Sequence, residues 1–309
     1  MVLSQTQLEA LLTLASDAAK QAGNYIASFD RSAIEVSHKT AGDSAASQVV
    51  TQVDLACEAL IKEALQPSFD PFDIAFLGEE SAASCPIDQH PRLNQPYFWC
   101  VDPLDGTLPF TENVPGYAVS IALVSNAGEP LIGVVFDPVT GTLYQGIAKR
   151  QGAGENALLL KQGQPWAPLI PLQAAGAPLS LYFDRSFTTL PMFSRVVEAM
   201  SVRAEKMGYS GVQIYHQAGS VMNAVQMLAH TPACYFKFPK ATEGGGSLWD
   251  FAATAALAKA AGAWVSDIHG DPLQLNAPDS LFMHRRGVLY ASDRQLAEQV
   301  MALYRSLCK

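Results

Sequence analysis

Three acidic segments, far apart along the chain, each sit at the end of an apolar run, and any fold for this sequence has to dispose of their charge. They are Gly78-Glu79-Glu80-Ser81, Asp102-Pro103-Leu104-Asp105-Gly106-Thr107 and Trp249-Asp250, the last after Gly244-Gly245-Gly246. Singly, each has a local explanation, since Asp-Pro and Asp-Gly form turns and Trp-Asp ahead of a helix reads as an N-cap. Asp137-Pro138-Val139-Thr140-Gly141 has the same turn residues without a second carboxylate three residues on, and reads as a hairpin turn only. Jointly the three segments ask for more. Asp102 and Asp105 flank a Pro-initiated bend that can turn both side chains towards one point and leave the Leu104 carbonyl free. Carboxylates, a backbone carbonyl and waters are what a hard cation such as Mg²⁺ takes. Gly106 and Thr107 then offer N–H groups, and Thr107 a hydroxyl, to a phosphate oxygen or a water. Carboxylates that converge without a cation repel one another and are costly to bury, so a metal is the economical reading.

Composition narrows the partner. Of 309 residues, 49% are hydrophobic and 16% charged, which excludes intrinsic disorder and fits one large domain or two fused subdomains. A net charge of −9 speaks against a nucleic-acid backbone or an anionic membrane as the main partner. Bound cations would still let an acidic protein take a small phosphorylated molecule. No apolar run approaches a membrane span, and the N-terminal MVLSQTQLEALLTLASDAAK lacks a basic leader and reads as an amphipathic helix. Five cysteines without a Cys-x-x-Cys pair read as reduced thiols of a cytoplasmic protein. The six histidines show no zinc spacing, and neither a G-x-S-x-G elbow nor a nucleotide-binding P-loop is present.

The apolar spacing predicts helices over 8–22, with Gly23-Asn24 as an interruption, and over 53–65, 191–207, 220–229 and 250–261. It predicts strands over 72–77, 97–101, 118–124, 131–136, 142–148, 179–183 and 234–238. Residues 152–176 read as a join between two halves. The division falls into 1–165, an α+β part with most of the acidic segments, and 166–309, an α/β part with Asp250. Strands and helices alternate too irregularly for a simple doubly wound sheet, which leaves a layered α/β or α+β sandwich.

Gly-Glu-Glu-Ser at 78–81, Asp-Pro-Leu-Asp-Gly-Thr at 102–107 and Trp-Asp at 249–250 resemble the inositol monophosphatase superfamily of Mg²⁺-dependent, lithium-sensitive phosphatases. Val50-Thr51-Gln52-Val53-Asp54, with Glu58 a helical turn on, resembles a further family segment. So do Val119-Ser120-Ile121 and Asp267-Ile268-His269-Gly270-Asp271-Pro272-Leu273. The resemblance implies a five-layer αβαβα sandwich, of the type shared with fructose-1,6-bisphosphatase, in a homodimer with two or three Mg²⁺ ions. It places Glu79, Asp102 and the Leu104 carbonyl on a first metal, and Asp102, Asp105 and Asp250 on a second, with Glu79 near a third. Thr107, supported by Asp54, would polarise the attacking water, and the Gly106 and Thr107 amides would grip the phosphate. Glu80 is either a solvated carboxylate or a direct participant.

Substrate signals divide. Leu108-Pro109-Phe110 after the Asp-Gly-Thr motif matches neither the inositol monophosphatase nor the bisphosphate nucleotidase pattern, whereas 114–121 resembles the inositol type. Glu243, seven residues before Asp250, has the offset of a carboxylate that accepts hydrogen bonds from a polyol. Tyr235-Phe236-Lys237-Phe238-Pro239-Lys240 instead resembles the Tyr-x-Arg-x-Pro loop of 3′(2′),5′-bisphosphate nucleotidases, where Lys237 or Lys240 would meet a second phosphate. Otherwise both lysines are charges that protect an edge strand. Gly219-Ser220 is a substrate-contacting turn or a plain N-cap at Ser220. Lys39, across an extended loop over 41–47, is a further candidate contact. The expectation is a Mg²⁺-dependent phosphomonoesterase for inositol monophosphate or a similar polyol phosphate. The alternatives are a 3′-phosphoadenosine 5′-phosphate phosphatase and a non-catalytic binding protein on the same fold.

Overall fold

The computed structural model describes residues 2–30, 43–149, 157–168 and 176–307, and the side chains of all of these except 43–50. The chain opens with two long helices, α1 (Gln5–Ser28) and α2 (Asp43–Leu65). A seven-stranded sheet follows in sequence order: β1 (Ile74–Gly78), β2 (Tyr97–Asp105), β3 (Ala118–Ser125), β4 (Pro130–Asp137), β5 (Thr142–Ile147), β6 (Leu158–Lys161) and β7 (Gln164–Pro165). A short helix, α3 (Thr107–Thr111), lies between β2 and β3. Only β1 and β2 run parallel in this sheet.

The later half alternates β8 (Leu179–Tyr182), α4 (Phe193–Lys206), β9 (Val212–Tyr215), α5 (Ser220–Ala229), β10 (Ala233–Lys237), α6 (Leu248–Ala261), β11 (Trp264–Ser266), β12 (Val288–Ala291) and α7 (Arg294–Leu307). Its five strands lie in the order β11-β12-β10-β8-β9.

The five layers follow from which faces are apolar. Helices α1 and α2 bury Leu8, Leu11, Leu12, Ile61 and their neighbours against one face of the first sheet. Its other face, α5, α6 and the inner face of the second sheet share a central core around Phe98, Tyr235, Trp249 and Phe251. The outer face of the second sheet is covered by α4 and α7. Sandwiched on both sides, β2, β3 and β4 are buried almost end to end, so they read as continuous apolar runs without alternation. Helix α6 lies between two sheets and is buried from Leu248 to Ala258 except at Asp250, which suits its alanine-rich, all-round apolar sequence. By contrast, α7 buries a single stripe, Leu296, Ala297, Val300, Met301 and Leu303. The result is a five-layer αβαβα sandwich.

Several expectations need correction. Gly23 does not interrupt α1: the helix runs on to Ser28, and the glycine is there because any β-carbon would strike the Phe136 ring. Helix α2 begins at Asp43, so 43–47 is helical and not loop, while Lys39 lies outside the described residues. Residues 69–72 form a helical turn, and Asp73 at φ 53° redirects the chain before β1. Within 152–176, the described part contributes β6 and β7 to the first sheet. Strand β10 is the middle strand of five, which removes edge protection as the reason for Lys237. The predicted hairpin turn at 137–141 is present, with Asp137 Oδ1 accepting from the Val139 N–H at 2.9 Å.

Candidate active site

Strand β2 does not stop at Val101, as its apolar run suggests, but pairs on to Asp105. Asp102 faces Ser120 and Asp105 faces Ala118, so three steps on β2 match two on β3. That extra residue matters. Side chains alternate along a strand, so two residues three apart would point to opposite faces; a bulge restores the phase and lets both carboxylates share one side. The Leu104 N–H donates to Asp102 Oδ1 at 3.0 Å and fixes the bend.

Asp250 arrives from α6. Its N-cap is Ser247, and Asp250 sits in the first turn, where Oδ2 accepts from the Ser247 N–H at 3.0 Å. The N-cap predicted for Trp-Asp thus belongs to Ser247, three residues earlier. Carboxylate oxygens of Asp102, Asp105 and Asp250 lie within 4.8 Å of one another, and Asp102 and Asp105 are only 2% and 7% exposed. Glu79, just past β1, lies close enough for its charge to act on Asp102 and Asp105.

The field is strongly anionic. Burial, then the charges of neighbouring carboxylates, holds Asp102 and Asp105 well above the usual carboxylate range. Asp250 is pushed up to about 6 by burial, while the Lys237 charge and the Ser247 N–H pull it back. Glu79 is exposed, yet the protein packed around it and the charge of Asp250 push it up to about 7. Asp54, on α2, is buried beside Glu79 and Glu80 and pushed up to about 8, first by burial and then by their charges. No hydrogen bond joins Asp54 to Thr107 among the described residues, although α2 packs against α3. The buried Glu58 accepts the Glu80 N–H at 2.8 Å and so fixes the Glu79-Glu80 turn.

Asp105 has a second task that sequence reading missed. Its Oδ1 accepts from the Ser220 N–H at 3.2 Å and its Oδ2 from the Val221 N–H at 3.0 Å, so it caps α5 from 115 residues away. The helix can come so close because Gly219, not Ser220, is the N-cap. A β-carbon at Gly219 would lie 2.7 Å from Gly106 Cα and closer still to Asp105 Oδ2. Gly106 itself needs φ 87°, and its N-cap position leaves the first N–H groups of α3 free for a ligand. Thr107 is exposed at that helix start.

Of the substrate-side candidates, Lys237 reaches the cluster and Glu243 does not. Lys237 Nζ pairs with the Asp184 carboxylate, lies 3.4 Å from Ser220 Oγ and stands 5.3 Å over the Phe251 ring centroid. Asp184 also accepts from Tyr235 Oη at 2.7 Å and Asn223 Nδ2 at 3.4 Å. Nothing in the local sequence around Asp184 marks it; only the parallel pairing of β8 with β10 brings it there. Glu243 is exposed on the loop after β10, with no hydrogen bond or ion pair among the described residues. Lys240 folds over the glycine loop near Gly244 and Gly245.

A model of the inositol monophosphatase family matches residues 7–308. Protein qutG of Emericella nidulans is 32% identical over 297 residues, covering 89% of this chain and 86% of that protein. Inositol monophosphatase 3 of Solanum lycopersicum is 30% identical over 271 residues, covering 87% of this chain and 90% of that protein. In fold, the chain superposes on an inositol monophosphatase from Anabaena (Nostoc) sp. PCC 7120 with a TM-score of 0.65 at 22% identity, covering 96% of each.

Proposed function

The chain belongs to the inositol monophosphatase family, and on that premise we propose that it is a Mg²⁺-dependent phosphomonoesterase for a small alcohol monophosphate, inositol monophosphate or a similar polyol phosphate. The observation that carries this reading is the convergence of Asp102, Asp105 and Asp250 from two distant segments. The donor set fits Mg²⁺. It is all oxygen, Asp102 and Asp105 are buried, and Lys237, the cation that eases the charge of Asp250 among the described residues, is itself matched by Asp184. In this reading Asp102, Asp105 and Asp250 hold one ion. Glu79, Asp102 and the Leu104 carbonyl hold another, and Glu79 lies near a third.

What bound Mg²⁺ supplies is positive charge against the negative charge that develops on the phosphoryl group and on the leaving oxygen. The chain's own residues position the reactants. The N–H groups of Gly106 and Thr107 hold phosphate oxygens, and the Thr107 hydroxyl, with Asp54 in support, orients a water in line with the ester bond. The water oxygen bonds to phosphorus, the ester P–O bond breaks, and the alcohol leaves with a proton. The halves 1–165 and 166–309 divide the site, the second bringing Asp250 and the substrate side. A homodimer and a cytoplasmic location complete the reading; among the described residues, no helix is long and apolar enough to cross a membrane.

The raised carboxyl pKa values give a test of the metal. In the Mg²⁺-free protein the folded state keeps protons that unfolded Asp and Glu release near pH 4. That contribution to stability is present at low pH and is lost as pH rises through about 6, 7 and 8 at Asp250, Glu79 and Asp54. Mg²⁺ takes the place of those protons, so its stabilising effect grows with pH. The Mg²⁺-induced rise in Tm is expected to be at least about 5 °C larger at pH 8 than at pH 5.5. A rise that does not change with pH sinks the assignment.

A second reading, a phosphatase for 3′-phosphoadenosine 5′-phosphate, has Lys237 in its favour, since that ammonium lies beside the cluster. Against it, Asp184 already matches the charge. Both readings are separated by kcat/KM with Mg²⁺ for inositol 1-phosphate and for the nucleotide on one preparation. Faster turnover of the inositol ester is expected, with Lys237→Met lowering both substrates alike. A selective loss of nucleotide turnover in Lys237→Met supports the nucleotidase. No turnover of any ester by folded, Mg²⁺-loaded protein leaves a binding protein on this fold.

A further inference from the structure

A cavity of about 200 Å³ is lined by Asp184 and Lys237 but by none of Asp102, Asp105, Gly106, Thr107 and Asp250, so it is a compartment separate from the metal and phosphate side. Most of its wall is apolar: Phe187, Leu190, Met192, Phe238 and Met283. The Phe187 and Phe238 rings meet edge to face with centroids 5.8 Å apart and form an aromatic corner. Leu190 and Lys240 also line the cavity and are exposed, so it opens to solvent on their side. A small molecule can enter there without passing the carboxylates. The charges along the wall do not cancel. Lys237 is matched by Asp184, whereas Lys240 makes no ion pair among the described residues. His284, 8% exposed, lines the cavity as well, and its Nδ1 has no hydrogen-bond partner among them. The two are neighbours, since the Lys240 N–H donates to the His284 carbonyl at 2.9 Å.

We propose that this cavity is an effector site for a small monocarboxylate with an aromatic or similarly apolar body. The body leaves water against Phe187, Met192 and Phe238. The carboxylate pairs with Lys240 and accepts from His284 in the tautomer that protonates Nδ1. A dianion such as a phosphate ester suits the cavity less, because it exceeds the single unmatched positive charge and meets Asp184. The route to the active site is the glycine loop. The Met283 N–H, in the cavity wall, donates to the Gly246 carbonyl at 3.0 Å. Gly246 lies against Asp250, where a β-carbon would come 2.8 Å from Oδ2, and the next residue, Ser247, holds that same oxygen through its N–H. An occupant that fixes Lys240 and Met283 therefore fixes the loop that positions Asp250. Its negative charge also deepens the field at the carboxylates. Both effects favour a bound cation, so the effector tightens Mg²⁺. The binding site stands apart from the phosphatase reading; its coupling to Mg²⁺ rests on that reading.

The probe is phenylacetate, with phenylacetamide as a neutral molecule of the same shape and acetate as the charge without the ring. Calorimetric titration of the Mg²⁺-free protein is expected to show phenylacetate binding at least about tenfold more tightly than either. Lys240→Met and Leu190→Glu, both at exposed positions, should each weaken it about tenfold, the first by removing the partner charge and the second by placing a like charge in the wall. At saturating phenylacetate Mg²⁺ is expected to bind about fivefold more tightly, and phenylacetate to gain the same factor from saturating Mg²⁺. Equal binding of acid and amide overturns the proposal, as does binding that both variants leave intact. Binding that leaves the Mg²⁺ affinity unaltered overturns the effector role. Competitive displacement by inorganic phosphate assigns the anion to the metal site and overturns the proposal too. If Mg²⁺ itself does not bind, the metal assignment falls, and the coupling with it.

Discussion

Asp105→Asn is expected to lower kcat on the order of a thousandfold at saturating Mg²⁺ while leaving the protein folded. The two effects separate because Asp105 has two jobs. As a carboxylate it contributes charge to the group with Asp102 and Asp250, and an amide supplies neither that charge nor a second ligand oxygen. As an acceptor it caps α5 through the N–H groups of Ser220 and Val221. Asparagine retains one acceptor, so about 1–2 kcal/mol of capping is lost. Against that loss, the amide relieves the repulsion from Asp250, Asp184 and Glu79 that raises the Asp105 pKa. The Tm of the Mg²⁺-free protein should therefore change little, whereas the Mg²⁺-induced rise in Tm should shrink. Turnover near the parent rate would show that the aspartate is a helix cap and no more.

That dual role bears on how far the site can be read from sequence. Asp102, Asp105 and Asp250 stand out because acidic residues at the ends of apolar runs are unusual, and the structure brings all three together. The bulge that lets residues three apart share a side is invisible in the string, which suggested a bend after the strand instead. Asp184 was missed for a different reason. It follows an ordinary apolar run, and its meaning lies in Lys237, Tyr235 and Asn223, all brought to it by tertiary structure. Glu243 was a candidate by offset alone, and offset fails where the loop between β10 and α6 carries three glycines with positive φ.

The fold was legible where elements are long and packed on one or both faces. Strands β1 to β5 and helices α5 and α6 lie close to where apolar spacing puts them, because burial sets their pattern. Five short strands, β6, β7, β9, β11 and β12, and the helix α7 were not anticipated. A strand of two to four residues has too few for a period to appear, and its place comes from neighbours such as β10, to which β12 pairs. The edge-protection reading of Lys237 failed on the same point. Only the strand order shows that β10 is central, and a lysine at the end of a central strand is placed there for what lies above it.

Gly219→Ala is the substitution expected to do most damage for one added methyl group. Gly219 has φ −65° and ψ 172°, extended values that alanine adopts freely, so backbone strain contributes nothing. The cost is crowding. The new β-carbon would lie 2.7 Å from Gly106 Cα and 2.8 Å from Gly106 N, and nearer still to Asp105 Oδ2. None of these is the loose end of a flexible side chain: two are backbone atoms, and the third is held by α5 itself. Relief requires α5 to move away from β2, which breaks both N–H contacts to Asp105 and displaces its carboxylate from Asp250. Overpacking of this kind costs about 1–3 kcal/mol, equivalent to a Tm lower by roughly 2–5 °C for a chain of this length. Turnover should fall about a hundredfold, because displacement of a ligand by even a fraction of an ångström affects every step that needs it. Gly141→Ala provides the comparison: φ is 67° there, but nothing lies within 4 Å of the added carbon. It should cost about 1 kcal/mol of stability and leave kcat and the Mg²⁺-induced rise in Tm unaltered. If Gly219→Ala behaves like Gly141→Ala, the approach of α5 to Asp105 does not position the carboxylate, and the coupling of helix cap to metal site is lost with it.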